Sequence, residues 1–252
     1  MSTQPGIHIE KSPAEIAGAA ARIFATLTQQ ARPTRPFTVA LSGGSTPKLL
    51  YELLTSDAFR YQIPWHLIHF FFGDERWVPH TDPASNFKLA NDYLFQPLNL
   101  NRTHIYPMPT SGEPEDAATH YEATLRGAFN LQEGAVPAFD LIFLGMGDEG
   151  HTASLFPHTA VLHENVRLVA STYVSKLSAN RITLTPLTLT HAAHTLFMVG
   201  GAAKAEALRE VLEGEYNPDE YPAQLLRDST GEVTWLVDTA AAAQLQGSYS
   251  QA

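Results

Sequence analysis

The chain is 252 residues long, carries 16 Lys and Arg against 26 Asp and Glu for a formal net charge of -10, and contains no cysteine. That balance argues against a general nucleic-acid surface, which needs clustered cations to displace counterions, and the missing thiols exclude disulfides, thiolate nucleophiles and Cys-based zinc sites. No apolar run approaches the roughly 18 residues that span a bilayer, and MSTQPGIHIE shows no basic region followed by an apolar one, so a soluble cytoplasmic protein built as one α/β domain is expected.

Ser12, Pro13 and Glu15 supply an N-cap, a first-turn proline and a capping-box acid, and Ile16, Ala19, Ala20, Ile23 and Leu27 follow at helical spacing. Residues 37–41 predict a strand, SGGST at 42–46 a turn, and 47–54 a helix capped by Ser45 or Thr46. Residues 66–72 form a second apolar run that ends at GDER, positions 73–76. Helices are predicted at 86–95 and 115–129, with surface loops at 107–115 and 214–219. The apolar run 139–144 suits a central strand covered on both faces. Further strands are predicted at 168–174, 195–199 and 233–237, and helices at 186–191, 202–212 and 240–245. Strands alternating with helices predict a mostly parallel sheet with helices on both faces.

The stretch FDLIFLGMGDEGHTASLFP, 139–157, carries the strongest functional signal, because a buried strand stops in glycines, two carboxylates and a histidine. Gly145, Gly147 and Gly150 permit sharp turns, and ligands in open α/β sheets bind at the carboxyl ends of strands. His151 is therefore the candidate general base, since an imidazole titrates near neutrality, with Glu149 or Asp148 placed to orient it. The chain has eleven histidines, and the others, among them His66, His69, His158, His191 and His194, read as ordinary structural residues.

SGGST offers backbone N–H groups and hydroxyls at a helix N-terminus, a setting that suits a phosphate dianion and equally an ordinary capped turn. Its spacing matches neither the dinucleotide fingerprint nor the P-loop. Arg181 in RITLT and Lys204 in GGAAKA could complete an anion pocket on Ser42, Gly43, Gly44, Ser45 and Thr46. In GDER, Asp74 could hold a histidine or a sugar hydroxyl and Arg76 could face an oxyanion, against the simpler reading of a loop salt bridge. The chain lacks HExxH and GxSxG, which leaves a base-activated water as the simplest hydrolytic route, one requiring no metal or cofactor.

Together these residues resemble the 6-phosphogluconolactonase family, related to the glucosamine-6-phosphate deaminases. The resemblance rests on LSGGSTP at 41–47, FFGDERWVP at 71–79, SNFKLA at 85–90, LGMGDEGHTASLFP at 144–157, RITLT at 181–185 and GGAAKA at 200–205. It implies a single modified Rossmann-like domain that hydrolyses the δ-lactone of 6-phosphogluconate in the oxidative pentose phosphate pathway. It also implies phosphate binding by the SGGST loop, Arg181 and Lys204, with His151 as base. The partner is a small phosphorylated sugar lactone, with no nucleic acid or membrane; no motif sets an oligomeric state, and a monomer is the working expectation.

One difference between the two branches and two departures from the lactonase pattern bear on the site. Deaminases carry a glutamate shortly after the histidine, in a segment like HIAFNEP, whereas HTASLFP here has no acid, which favours the lactonase over a deaminase or isomerase; a non-catalytic sugar-phosphate-binding regulator is the alternative from another class, one expected to bind the product without rate enhancement and to carry an appended DNA-binding segment. The usual Asp-Gly-His is Glu149, Gly150, His151 here, and the prolines that usually precede RIT are missing from STYVSKLSANR, which keeps Lys176.

Overall fold

The computed structural model describes residues 6–251. After a first strand, β1 (Gly6–Glu10), the Ser12 hydroxyl accepts from the Glu15 N–H at 3.3 Å and opens α1 (Pro13–Thr28). Ile16, Ala20 and Phe24 lie on the buried stripe of α1, and the Phe24 ring meets Phe37 and Phe143 with centroids 6.1 and 5.8 Å apart. Helical periodicity in the sequence thus places one helix over the two strands that later deliver the site.

Those strands are β2 (Phe37–Leu41), followed by α2 (Ser45–Leu54) and β3 (Ile68–Phe72), and, after β4 (Asp74–Arg76), α3 (Asn86–Ala90) and α4 (Pro114–Ala128), β5 (Leu141–Leu144). The remainder comprises β6 (Val169–Val174), β7 (Ala179–Leu184), α5 (Pro186–Leu189), β8 (His194–Val199), α6 (Ala205–Glu213), β9 (Glu232–Asp238) and β10 (Ser250–Gln251). Seven strands form a wholly parallel sheet in the order β10-β1-β9-β8-β5-β2-β3. From β2 the chain proceeds outward to β3, then crosses back to β5 on the other side of β2. Their carboxyl-end loops diverge there, making the topological switch point at which α/β sheets open a crevice.

Several expectations are refined. The segment 86–95 starts as α3 and widens into a π-helical turn over Asn91–Phe95, and the segments near 202 and 241 begin or remain as 3₁₀ turns. The helix expected from residue 47 begins at Ser45, and its N-cap is Gly44 at φ 115° rather than Ser45 or Thr46. The strand at 169–174 lies outside the parallel sheet: β6 pairs antiparallel with β7, and β7 with β4, in a separate three-stranded sheet.

The amino ends of β2 and β5 share only two paired positions, so side chains secure them. Asp140 accepts from the Thr38 N–H and Thr38 Oγ1, both at 2.9 Å, and from the Arg35 guanidinium at 2.6 Å. Loss of hydrogen bonds to a largely buried carboxylate costs about 2 to 3 kcal/mol. Asp140→Ala should therefore lower the urea midpoint by a corresponding amount, and an unchanged midpoint would show that the clamp contributes nothing.

Candidate active site

Strand alternation distributes the GDER residues. Asp74 and Arg76 are two apart and share one face of β4, while Glu75 points to the other. On the far face Glu75 is 1% exposed and accepts from the N–H groups of Asn86 and Phe87, both at 2.7 Å, of Arg76 at 2.8 Å, and from Ser85 Oγ at 3.0 Å. Burial pushes its pKa up against the pull of those donors. Glu75 thus fastens β4 to the N-terminus of α3, which corrects the simpler reading of GDER as a loop salt bridge.

On the near face, β4 and β7 place Arg76 directly opposite Arg181. Cross-strand partners of an antiparallel pair project to the same side, so two guanidiniums share one wall. Burial, then the neighbouring Arg76, lowers the Arg181 pKa, with Asp74 and Glu75 acting in the opposite sense. Arg76 donates to the Ala84 carbonyl at 2.6 Å, whereas Arg181 has no carboxylate partner among the described residues.

Asp74 is 8% exposed and joins three segments. Its Oδ2 accepts from Ser154 Oγ at 2.7 Å and its Oδ1 from Asn86 Nδ2 at 3.0 Å. Asn86 in turn lies against Gly43, where an added Cβ would stand 1.7 Å from Asn86 Oδ1. Gly43 is required because the asparagine occupies the space that any side chain would need.

The loop after β5 folds back on itself: Gly147 N–H donates to the His151 carbonyl at 2.8 Å, and Thr152 Oγ1 to the Gly145 carbonyl at 2.8 Å. The His151 ring covers Gly147, where a Cβ would lie 2.0 Å from the imidazole, and stacks on Phe156 with centroids 4.0 Å apart. Its Nδ1 is buried without a hydrogen-bond partner and stands 3.6 Å from Glu149 Oε1, beyond hydrogen-bond length but inside ion-pair range. The exposed edge of the ring therefore carries Nε2. Burial is the largest influence on His151 and lowers its pKa, with Glu149 and Asp74 raising it and Lys204 and Lys176 lowering it. Burial thereby favours the neutral imidazole.

Lys204 ends the 3₁₀ turn Ala202–Lys204, fixed from below by Asp238, which accepts from the Gly201 N–H at 2.9 Å. Its ammonium pairs with Asp148, and that bond holds the Asp148 carboxyl below its ordinary range. Glu149, the carboxylate nearer to His151, pairs with Lys176. A cleft of about 290 Å³ brings together Asp74, Arg76, Glu149, His151, Arg181 and Lys204, with Ser154, Phe156 and Lys176 also in its wall. Ser42, Gly43, Gly44, Ser45 and Thr46 are not in that wall; they adjoin it through Asn86. The cleft contains no other histidine, and the described residues hold no cluster of three or more His, Cys, Asp or Glu suited to a metal.

Asn86 and Ser154 received no role from sequence reasoning. Asn86 was visible as the start of a predicted helix and Ser154 as part of HTASLFP, but both act by reaching β4 in space, a contact that local pattern does not encode.

The arrangement sets one imidazole beside a wall of three cationic side chains, Arg76, Arg181 and Lys204. Residues 11–235 match the family described as glucosamine-6-phosphate isomerases/6-phosphogluconolactonase. Among curated relatives, a 6-phosphogluconolactonase of Synechocystis sp. is 43% identical over 83% of this chain and 85% of its own. That of Nostoc sp. is 39% identical over 89% of each. Among solved structures, 6-phosphogluconolactonase from Trypanosoma cruzi superposes with a TM-score of 0.86 at 30% identity, covering 98% of this chain and 99% of that one. A monomeric glucosamine-6-phosphate deaminase shares the fold, with a TM-score of 0.79 at 23% identity over 95% and 99% of the two chains. With a match across most of its length and relatives well above 30% identity, the chain belongs to the family of glucosamine-6-phosphate isomerases and 6-phosphogluconolactonases.

Proposed function

We propose that the protein is a 6-phosphogluconolactonase, hydrolysing 6-phospho-D-glucono-1,5-lactone to 6-phospho-D-gluconate. The observation that carries this reading is one cleft holding His151 together with Arg76, Arg181 and Lys204. In this reading the 6-phosphate docks on Arg181 and Lys204, with N–H groups of the neighbouring SGGST turn completing the cradle. Lys204 exchanges part of its contact with Asp148 for the phosphate. The lactone carbonyl then lies beside His151.

His151 removes a proton from water through Nε2 as the oxygen attacks C1. The Arg76 guanidinium, or N–H groups of the glycine turn, stabilises the tetrahedral oxyanion, and the imidazolium returns its proton to the ring oxygen as the C1–O5 bond breaks. Asp74, fixed by Ser154 and Asn86, keeps negative charge near the ring and supports the imidazolium as it forms. The absence of an acid in HTASLFP favours this reaction over ring-opening deamination. The reading includes a monomer that meets its substrate in the cytoplasm.

Lactone hydrolysis above the spontaneous rate, with little acceleration of the unphosphorylated lactone, is the expected result of a coupled assay; ammonia release from glucosamine 6-phosphate without lactone hydrolysis would overturn it. His151→Ala should reduce kcat by about 10² to 10⁴, the range for a positioned general base, and near wild-type turnover would remove His151 from that role. Arg181→Met and Lys204→Met should mainly raise KM, as expected where phosphate contributes uniform binding; unchanged KM in both would displace the phosphate site. Because burial favours the neutral imidazole, the base stays unprotonated to lower pH than a free histidine. The acid limb of kcat/KM should accordingly fall below about 6.5, the unperturbed value, and a limb above it would contradict the assignment.

A further inference from the structure

Lys176 sits at the tip of the hairpin between β6 and β7, in a 3₁₀ turn over Ser175–Leu177 closed by Ser178 in the left-handed region at φ 48°. The two strands are paired continuously from Val169 opposite Leu184 to Val174 opposite Ala179, and β7 is paired to β4 along its other edge. The tip is thus carried on a braced ribbon that also bears Arg181, and it overhangs the loop bearing Glu149 and His151.

Glu149 divides its two carboxylate oxygens. Oε2 accepts from the Lys176 ammonium, and Oε1 faces His151 Nδ1 at 3.6 Å. Lys176 is the only hydrogen-bond donor to Glu149 among the described residues. The Lys176 side chain is 68% exposed, so solvent screens the pair and it adds little to folding. What the contact fixes is direction. The pair also forms part of the partition between the cleft and a neighbouring groove of about 1010 Å³, with Asp148 and Phe156 the other residues shared by the two.

We propose that Lys176 is a positioning residue that acts through Glu149: by holding one carboxylate oxygen on a braced hairpin, it keeps the other oxygen against the buried nitrogen of His151. The proposal rests on the lactonase reading for its kinetic consequence and on geometry alone for its spectroscopic one. The groups facing His151 are the Phe156 ring, Gly147, Glu149 and Asp74, with Lys204 and Lys176 as the nearby cations, Asp148 held on Lys204, and Arg76 and Arg181 across the cleft.

The test is a double-mutant cycle read first in substrate-free protein, by NMR titration of the His151 ring protons. In the wild-type background Glu149→Gln removes a carboxylate that favours the imidazolium, so the His151 midpoint should move to lower pH. In the Lys176→Met background Glu149 is released, and the same substitution should move the midpoint by less than half as much. Lys176→Arg should restore the full shift. An equal or larger shift without Lys176 would overturn the proposal, because Glu149 would then hold its place unaided. In lactone hydrolysis, Lys176→Met should lower kcat about tenfold with little change in KM, comparable to the loss when the partners that orient a metal-bound histidine are removed, and Glu149→Gln should add little to it. A Lys176→Met variant with raised KM and full kcat would mark a substrate-binding lysine and overturn the positioning role. Should the wild-type protein show no lactone hydrolysis, the titration cycle still decides the proposal while the functional reading alone fails.

Discussion

The site depends on one buried carboxylate. Asp74 begins β4 and accepts from Ser154, 80 residues further along the chain, and from Asn86, which opens α3. Through those two bonds the loop after β5, the small antiparallel sheet and the SGGST turn are held as one body, since Asn86 also occupies the space above Gly43. A carboxylate removed from water needs such donors to offset its lost hydration. Here the donors come from the segments that must be aligned, so satisfying Asp74 and assembling the cleft are the same event.

The electrostatics run opposite to those of the molecule as a whole. An acidic protein with 16 basic residues directs Arg76, Arg181, Lys176 and Lys204 into one small space. The two lysines are each matched by a carboxylate on the loop 145–151, and the two arginines face each other across β4 and β7. The negative exterior leaves the cleft as a local exception that an anionic ligand can find, and the low-dielectric walls strengthen attraction once it has entered. Burial, with those two lysines adding to it, lowers the His151 pKa and so favours the neutral imidazole that a base requires.

Most of the parallel sheet was legible because its strands are short apolar runs bounded by turn-forming or charged residues, as at Phe37–Leu41 and Leu141–Leu144. β1, β4 and β7 were not read as strands, because GIHIE and DER are short and pair only with segments far along the chain, while ANRITL opens on the polar Asn180 and Arg181. That gap hid the register that sets Arg76 opposite Arg181 and turns Glu75 away. His151 was legible because a buried strand ending in glycines marks a loop at the sheet's carboxyl edge. Asn86 and Ser154 were not, since hydrogen bonds between separate loops leave no periodic trace. The SGGST turn was recognised, but its place beside the cleft rather than in its wall follows from the asparagine that stands between them.

Two half-buried guanidiniums on adjacent strands repel one another, while Asp74 and Glu75 act on Arg181 in the opposite sense. The paired strands hold the two charges in place all the same. An anionic ligand bound against that face would offset the repulsion, so occupancy and conformational stability are thermodynamically linked. The protein's resistance to heat should thus vary with the sugar phosphate around it, making its persistence partly a property of its metabolic surroundings.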